Sequence, residues 1–301
     1  MKDVHAMPPR HGRLGLHRVG IEGIRKPLLV ERPGRVVTLT ATFSLAVDLP
    51  SDRKGSDLSR NAELLADQID WPDARPVPSL ESVCATIAKE LLVRHPYATR
   101  SEVRGRADYF LSRGIAPGRE SLENFTLLAE GRARRVERAI SVVRSIGAEA
   151  VGMTACPCAM ETARDRLTEE FPTLGAPELK GVPIVTHNQR NRTSLSFEVA
   201  DGAEVEADRI VEAIEAAQSS PTYAILKRGD EAKVVLDAHR HPKFVEDVLR
   251  DLLASIPERF PGLSDPTIVR VRTVSEESIH KYDVVADHEV TVGELRARRS
   301  A

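Results

Sequence analysis

Cysteine is scarce in this 301-residue chain, which contains only Cys84, Cys156 and Cys158. Three unevenly placed thiols are too few for a disulfide framework, and a close pair in a reducing compartment more often indicates a metal or catalytic site. No apolar run approaches the ~18 residues of a membrane span, and the N-terminus lacks the apolar core of a secretory signal. We therefore expect a cytoplasmic globular protein with no membrane partner.

The chain also lacks an excess of either charge, with 43 Lys and Arg against 45 Asp and Glu. A net charge of -2 gives no general attraction to nucleic acid, so we expect no such partner and only local anion binding. Neither a Walker loop nor a Rossmann glycine fingerprint is present, which excludes those two ways of holding a nucleotide. The 41% of hydrophobic residues suffices for a substantial core.

Hydrophobic patterning predicts an α+β protein. β-Branched or alternating segments predict strands at 16–24, 35–49, 99–111, 193–199, 267–274 and 282–292. Amphipathic segments predict helices at 58–69, 79–93, 160–170, 207–218 and 242–254. Segment 134–153 is ambiguous, because it could be a helix at its start and a strand at its end; a strand is favoured at the end. In each half of the chain the predicted order is strands, then helices, then strands. This order favours antiparallel sheets with helices packed on one side.

Two of the cysteines flank a single proline in GMTACPC, at 152–158. The pattern is compatible with a buried pair of small thiols, a redox pair or a metal site. The intervening proline restricts closure of so tight a disulfide loop, which disfavours the redox pair.

Two further residues support a metal site. His187 lies in the polar stretch THNQR, where no apolar pattern would explain an imidazole as a core residue. Glu231 follows a glycine in KRGDEAKVV, a charged stretch that predicts a turn. Thiolate, imidazole and carboxylate together make a three-ligand set that leaves a fourth position open to water, as catalytic divalent sites require. Taken alone, His187 is as compatible with an ordinary side chain as with a ligand, whereas a solvated loop carboxylate is the commoner interpretation of Glu231, and the long spacing is not diagnostic.

Several strings in register resemble one known family, the type IB GTP cyclohydrolases, which include archaeal enzymes of methanopterin synthesis and bacterial enzymes of folate synthesis. The strings are GMTACPC, THNQR, LKRGDE, HPKFVEDVLRDLL and ESIH, preceded by VGIEGIRKP, DLPSDRKGSDLSRN and PYATRSEVRGRADYF. The similarity runs through most of the chain. The long connection between Cys156 and His187 is more like the archaeal branch.

The resemblance implies a role for each matching residue. Cys156, His187 and Glu231 would be the metal ligands, and Cys158 matches without an assigned role. Glu246 would anchor the guanine ring, and His280 would donate or accept protons. On a helical wheel Glu246 lies at the edge of the apolar face, where a carboxylate can reach a half-buried pocket. The family's second histidine is replaced here by Tyr282, which puts a two-histidine proton relay in doubt.

The resemblance also implies an assembly and a reaction. It implies the tunnelling fold, with two tandem antiparallel-sheet units at 1–155 and 156–301, assembled as a homotetramer whose active sites lie between subunits. One divalent metal per subunit is implied, with Fe²⁺ first and Zn²⁺ or Mn²⁺ as alternatives. The substrate would be GTP, opened at C8 with formate release. The archaeal product would be 7,8-dihydroneopterin 2′,3′-cyclic phosphate, and the bacterial product 7,8-dihydroneopterin triphosphate.

Phosphate recognition is the least specified part. We place Arg60 first among the triphosphate contacts, together with Ser59, because this arginine opens a predicted helix whose backbone amides favour anions. Other basic candidates are Arg53, Lys54, Arg190 and Arg192. Two rival hypotheses are a non-catalytic purine or pterin binder and a thiol redox protein. The latter predicts that serine at either position of the cysteine pair abolishes activity without changing metal content.

Overall fold

The structure is a computed structural model that describes residues 4–10, 14–32, 35–69, 75–116, 118–173, 182–199 and 203–299. Its strands are β1 (Leu16–Arg32), β2 (Arg35–Leu49), β3 (Arg100–Gly114), β4 (Glu120–Val136), β5 (Ala139–Ala155), β6 (Asn188–Val199), β7 (Ser220–Pro221), β8 (Ile268–Ser275) and β9 (Val284–Thr291). Its helices are α1 (Ser59–Ile69), α2 (Leu80–Arg94), α3 (Pro157–Glu170), α4 (Ala207–Ala217), α5 (Arg228–Arg240), α6 (Val245–Arg259) and α7 (Val292–Arg299).

The chain divides into two compact units. Unit 1 comprises Met1–Tyr109, Thr126–Ile146 and Glu198–Glu204, and unit 2 comprises Phe110–Phe125, Gly147–Phe197 and Val205–Ala301. In unit 1 hydrogen-bonded neighbours follow the order β1-β2-β3-β4-β5, and in unit 2 they follow β5-β6-β8-β9, with β7 on β5. The predicted division at residue 155 separates two tandem fold units, which is a different question from these two compact units. It therefore stays a prediction.

In unit 1 the sheet is antiparallel and α2 covers one of its faces. Buried and exposed residues alternate along β3, and its buried Ser101 donates a hydrogen bond to the Ala88 carbonyl of α2 at 2.5 Å. A Cβ added to Gly131 would lie 2.2 Å from the backbone oxygen of Cys84, so glycine is what allows this close approach. Burial raises the pKa of the Cys84 thiol, which identifies this third cysteine as an inert core residue.

In unit 2 the helices α4 and α6 pack together and α6 packs on β8. Val248, Leu252 and Ile256 recur on one stripe of α6 and are fully buried. Phe197 and Phe260 are also buried in this core, and their ring centroids are 4.7 Å apart. Antiparallel sheet with helices on one side confirms the predicted α+β class.

Most predicted elements are confirmed to within a few residues, and three expectations are wrong. The helical interpretation of the start of 134–153 fails, because Glu137, with φ 53°, turns the chain between β4 and β5. The first strand continues to Arg32, well beyond residue 24. The turn predicted around Glu231 is the first part of α5, whose start is capped by Asp230 accepting from the Lys227 N–H at 3.1 Å.

Candidate functional site

Cys156 stands where β5 ends and α3 begins, which explains the proline between the two thiols. Pro157 occupies the first helical position, where its missing N–H costs no hydrogen bond. The Ala159 N–H donates to Cys156 Sγ at 3.4 Å, so the sulfur caps the helix. Cys158, two residues after Cys156, is exposed. The motif thus presents one partly buried sulfur at a strand end and a second at the surface.

His187 lies beside Cys156 because the two chain segments are hydrogen-bonded together. The Cys156 N–H donates to the His187 carbonyl at 3.1 Å, and Thr186 Oγ1 donates to the Cys156 carbonyl at 2.8 Å. His187 immediately precedes β6. A thiol and an imidazole that are far apart in sequence are therefore held at adjoining strand ends.

A cavity of about 220 Å³ in unit 2 is lined by residues that belong to four of the motifs identified in the sequence or lie next to them. Its lining comprises Cys156, His187, Gln189, Lys243, Phe244, Val245, Glu246, Ser275, Glu277, His280, Tyr282 and Val284. An adjoining, more open hollow of about 540 Å³ shares Cys156, His187 and His280 and adds Cys158. Four of the predicted site residues, Cys156, His187, Glu246 and His280, therefore meet at one place.

Glu246 reaches this cavity from the first turn of α6. Its neighbour Asp247 instead caps the helix, since Asp247 Oδ2 accepts from the Phe244 N–H at 3.1 Å. Glu246 is exposed, and no capping bond occupies its carboxylate in the described structure. Because Asp247 caps the helix, the Glu246 carboxylate is available to bind a ligand.

His280 is held between two other rings. Its centroid lies 6.3 Å from that of His187 at an interplanar angle of 84°, and 4.9 Å from that of Tyr282 at 8°. Tyr282 therefore stacks on one face of His280, while the same imidazole meets His187 edge-on.

Glu231 is the predicted ligand that the cavity does not include. His239, at the other end of α5, lies with Nε2 3.4 Å from the Thr186 carbonyl, next to His187. Glu231 precedes His239 by two helical turns, about 12 Å along the axis at about 1.5 Å per residue. Within the described ranges of one chain, no three His, Cys, Asp or Glu side chains converge closely enough to hold a metal ion. The donors present fit a divalent cation in type, with a soft sulfur and an imidazole side by side, and are incomplete in number.

Arg60 and Ser59 belong to unit 1, at the start of α1. Arg60 Nη1 donates to the Arg94 carbonyl at 2.9 Å and lies 3.3 Å from Asp57 Oδ2. Asp57 also accepts from His5 at 2.8 Å, and that hydrogen bond lowers the pKa of its carboxyl group. Ser59 is exposed. Arg60 is thus paired with a carboxylate, and phosphate binding by Arg60 and Ser59 stays a prediction.

Two of the other basic candidates, Arg53 and Arg192, are also engaged by neighbouring side chains. The Arg53 guanidinium lies 4.0 Å above the centre of the Tyr97 ring. Arg192 Nη2 donates to Glu276 Oε1 at 2.9 Å, and this hydrogen bond raises the pKa of the arginine. Arg190 is exposed one residue beyond Gln189.

Sequence reasoning missed two residues beside the cavity, Gln189 and Glu277. His187 Nδ1 lies 2.9 Å from Gln189 Oε1 and 3.5 Å from Glu277 Oε2. Both residues occur inside the strings THNQR and ESIH, on which the family resemblance was based. The strings alone do not reveal that the two side chains touch. Their contact depends on the pairing of β6 with β8.

None of the helices in the described ranges has the length and apolar character needed to cross a bilayer. Among solved structures, a hyper-thermostable AgUricase mutant is similar with a TM-score of 0.50 at 8% identity, over 92% of each chain, which concerns the fold alone.

Curated relatives are similar along nearly the whole chain. The protein named GTP cyclohydrolase MptA from Methanococcoides burtonii is 40% identical, over 98% of this chain and 95% of its own. The protein of the same name from Methanothermobacter thermautotrophicus is 40% identical over 93% and 91%. Residues 1–286 match the family described as type I GTP cyclohydrolase folE2. The chain belongs to the type I GTP cyclohydrolase folE2 family.

Proposed function

We propose that this protein is a GTP cyclohydrolase that opens the imidazole ring of GTP by hydrolysis at C8, releases formate and yields 7,8-dihydroneopterin 2′,3′-cyclic phosphate. The observation that carries the proposal is the meeting of Cys156, His187, Glu246 and His280 at one cavity. The relatives named above support the activity, and their names place them in the MptA branch.

Glu246 selects the base. Its two carboxylate oxygens accept parallel hydrogen bonds from the guanine N1–H and exocyclic amino group, a pair of donors that adenine lacks. The exposure of Glu246 and the use of Asp247 for capping leave both oxygens available. His280, which lines the same cavity, moves protons during ring opening.

Cys156 and His187 hold one divalent cation per subunit, with Fe²⁺ as first choice and Zn²⁺ or Mn²⁺ as alternatives. Such a cation supplies Lewis-acid activation of water, which brings hydroxide within reach at neutral pH. Cys156 contributes the thiolate, which is the metal-binding form of cysteine, and His187 contributes a neutral imidazole. Both face the cavity that receives the base.

A second copy of the chain completes the site. Glu231 lies about two helical turns from the residue that contacts the His187 segment, so its carboxylate serves the site of a neighbouring subunit. This arrangement agrees with a homotetramer of tandem tunnelling-fold units, which we propose as the assembly. Arg60 and Ser59, with other basic residues of their loop, bind the triphosphate.

The test is anaerobic incubation of iron-loaded protein with GTP, followed by product mass and formate measurement. We expect one formate per GTP and the mass of the cyclic phosphate. The triphosphate mass instead would support the bacterial-type product. GTP that binds yet returns unchanged with iron, zinc and manganese would support a non-catalytic purine binder and refute the proposal.

Two variants of α6 make the test specific. Glu246→Gln keeps the side-chain size and removes one carboxylate oxygen, so we expect formate release to fall at least about 100-fold, the loss typical of removing one charged contact in a site. Glu258→Gln makes the same change at the other end of the helix, where Glu258 contacts Arg299 at 2.5 Å, and should leave turnover unchanged.

A further inference from the structure

His187 is the end point of a buried polar network in unit 2. Gln189 is 9% exposed, and its amide nitrogen lies 3.2 Å from Thr154 Oγ1, 3.1 Å from Ser275 Oγ and 3.2 Å from Glu277 Oε1. Ser275 Oγ also donates to Glu277 Oε1 at 2.8 Å. These contacts join β5, β6 and the end of β8 immediately behind the imidazole.

The Glu277 carboxylate decides which way the Gln189 amide points. At neutral pH a carboxylate only accepts hydrogen bonds, so the amide group beside Glu277 must be the nitrogen, a donor. The amide oxygen consequently faces His187 Nδ1 at 2.9 Å. Because that oxygen only accepts, the proton of a neutral His187 resides on Nδ1 and the electron pair on Nε2.

We infer that Gln189, anchored by Glu277, is a positioning residue that fixes His187 in the Nδ1–H tautomer and presents Nε2 to a divalent cation. Glu277 Oε2, 3.5 Å from the same Nδ1, reinforces the bond from the carboxylate side. Metal-binding histidines regularly donate their second N–H to such a partner, which sets ring orientation and raises ligand basicity. The presence of the cation rests on the proposed function, whereas the tautomer does not.

A second glutamine in the same unit provides a matched control. Gln218 is 4% exposed and donates to Thr193 Oγ1 at 3.0 Å, while its oxygen accepts from Asn191 Nδ2 at 2.8 Å. Among the described residues, the hydrogen-bond partners of its side chain include no imidazole or carboxylate. A Gln→Leu change at 218 removes the same amide from the same kind of buried network without touching His187.

The tautomer can be measured by ¹⁵N NMR of histidine-labelled protein without metal or nucleotide, with His187→Gln assigning the signal. We expect the Nδ1–H form of His187 in the natural protein and in Gln218→Leu. Gln189→Leu should lose this preference. Glu277→Gln, which preserves shape and lets the amide reverse, should do the same and serves if Gln189→Leu does not fold.

The second readout is zinc affinity by competition with a chromophoric chelator. We expect Gln189→Leu and Glu277→Gln to weaken Zn²⁺ binding by about 10–100-fold relative to Gln218→Leu. The inference would be overturned if folded Gln189→Leu and Glu277→Gln proteins kept the tautomer or the zinc affinity of the natural protein. It would also be overturned if Gln218→Leu changed both quantities as much as these two variants do. Retention of the Nδ1–H preference in a natural protein that does not hydrolyse GTP would refute the proposed function alone.

Discussion

His95 gives unit 1 a stability that depends on pH. The residue is 0% exposed, and its Nε2 and Nδ1 lie 2.7 Å from Asn61 Oδ1 and 2.8 Å from Tyr97 Oη. Burial away from water lowers the pKa of His95 from 6.5 to about 4. The native protein therefore keeps this imidazole neutral at pH values where the unfolded chain binds a proton.

The sign and size of the change in stability with pH follow from proton linkage. Because the folded-state pKa lies below the unfolded value, stability is fully present above about pH 6.5 and is lost as the pH falls toward about 4. The total loss is on the order of 3 kcal/mol, of which about 2 kcal/mol is reached by about pH 5, before most carboxylates titrate.

The assay is denaturant unfolding at about pH 7.5 and about pH 5, at one protein concentration, for the natural protein and His95→Gln. Glutamine lowers stability at both pH values and removes the titrating group. We expect the natural protein to lose about 2 kcal/mol more than the variant between the two pH values. Equal losses in both proteins would refute the assignment of a buried neutral histidine.

Two further predictions concern packing and helix capping. Gly131→Ala should destabilise unit 1 by at least about 2 kcal/mol, because the added methyl group would lie 2.2 Å from the Cys84 carbonyl oxygen. The control, Gly229→Ala, has no atom within 4 Å of the added methyl group and should be neutral or stabilising in thermal unfolding. Asp230→Ala should cost about 2 kcal/mol, since Asp230 caps α5 and accepts from Arg119 at 2.6 Å. Asp237→Ala, which removes an exposed pair with Arg240 at 3.5 Å, should cost less than about 0.5 kcal/mol in the same urea titration, and equal costs would contradict the capping argument.

The sequence predicts the elements whose side chains alternate or recur strongly. Segments 35–49 and 267–274 carry large β-branched residues at period two, and both are strands within one residue of the prediction. Strand β4 was missed because its buried face includes the small residues Ala129, Gly131 and Ala133, which give a weak hydrophobic signal. Their small size is set by the helix packed against them, which sequence patterning does not reveal.

The candidate site divides along similar lines. Cys156, His187, Glu246 and His280 could be proposed from motif resemblance, and the structure brings them to one cavity. The helix at Glu231 was missed because a glycine among charges resembles a turn, whereas capping by Asp230 starts a helix there. The roles of Gln189 and Glu277 depend on contacts between separate strands, which local sequence does not specify.

The most direct test of the account is X-ray absorption spectroscopy of the zinc-loaded protein. We predict one sulfur at about 2.3 Å and nitrogen or oxygen ligands at about 2.0–2.2 Å, with the sulfur lost in Cys156→Ser and kept in Cys158→Ser. A metal shell without sulfur in the natural protein, or a sulfur that survives Cys156→Ser, would contradict the claim that this thiolate and His187 hold the cation beside Glu246.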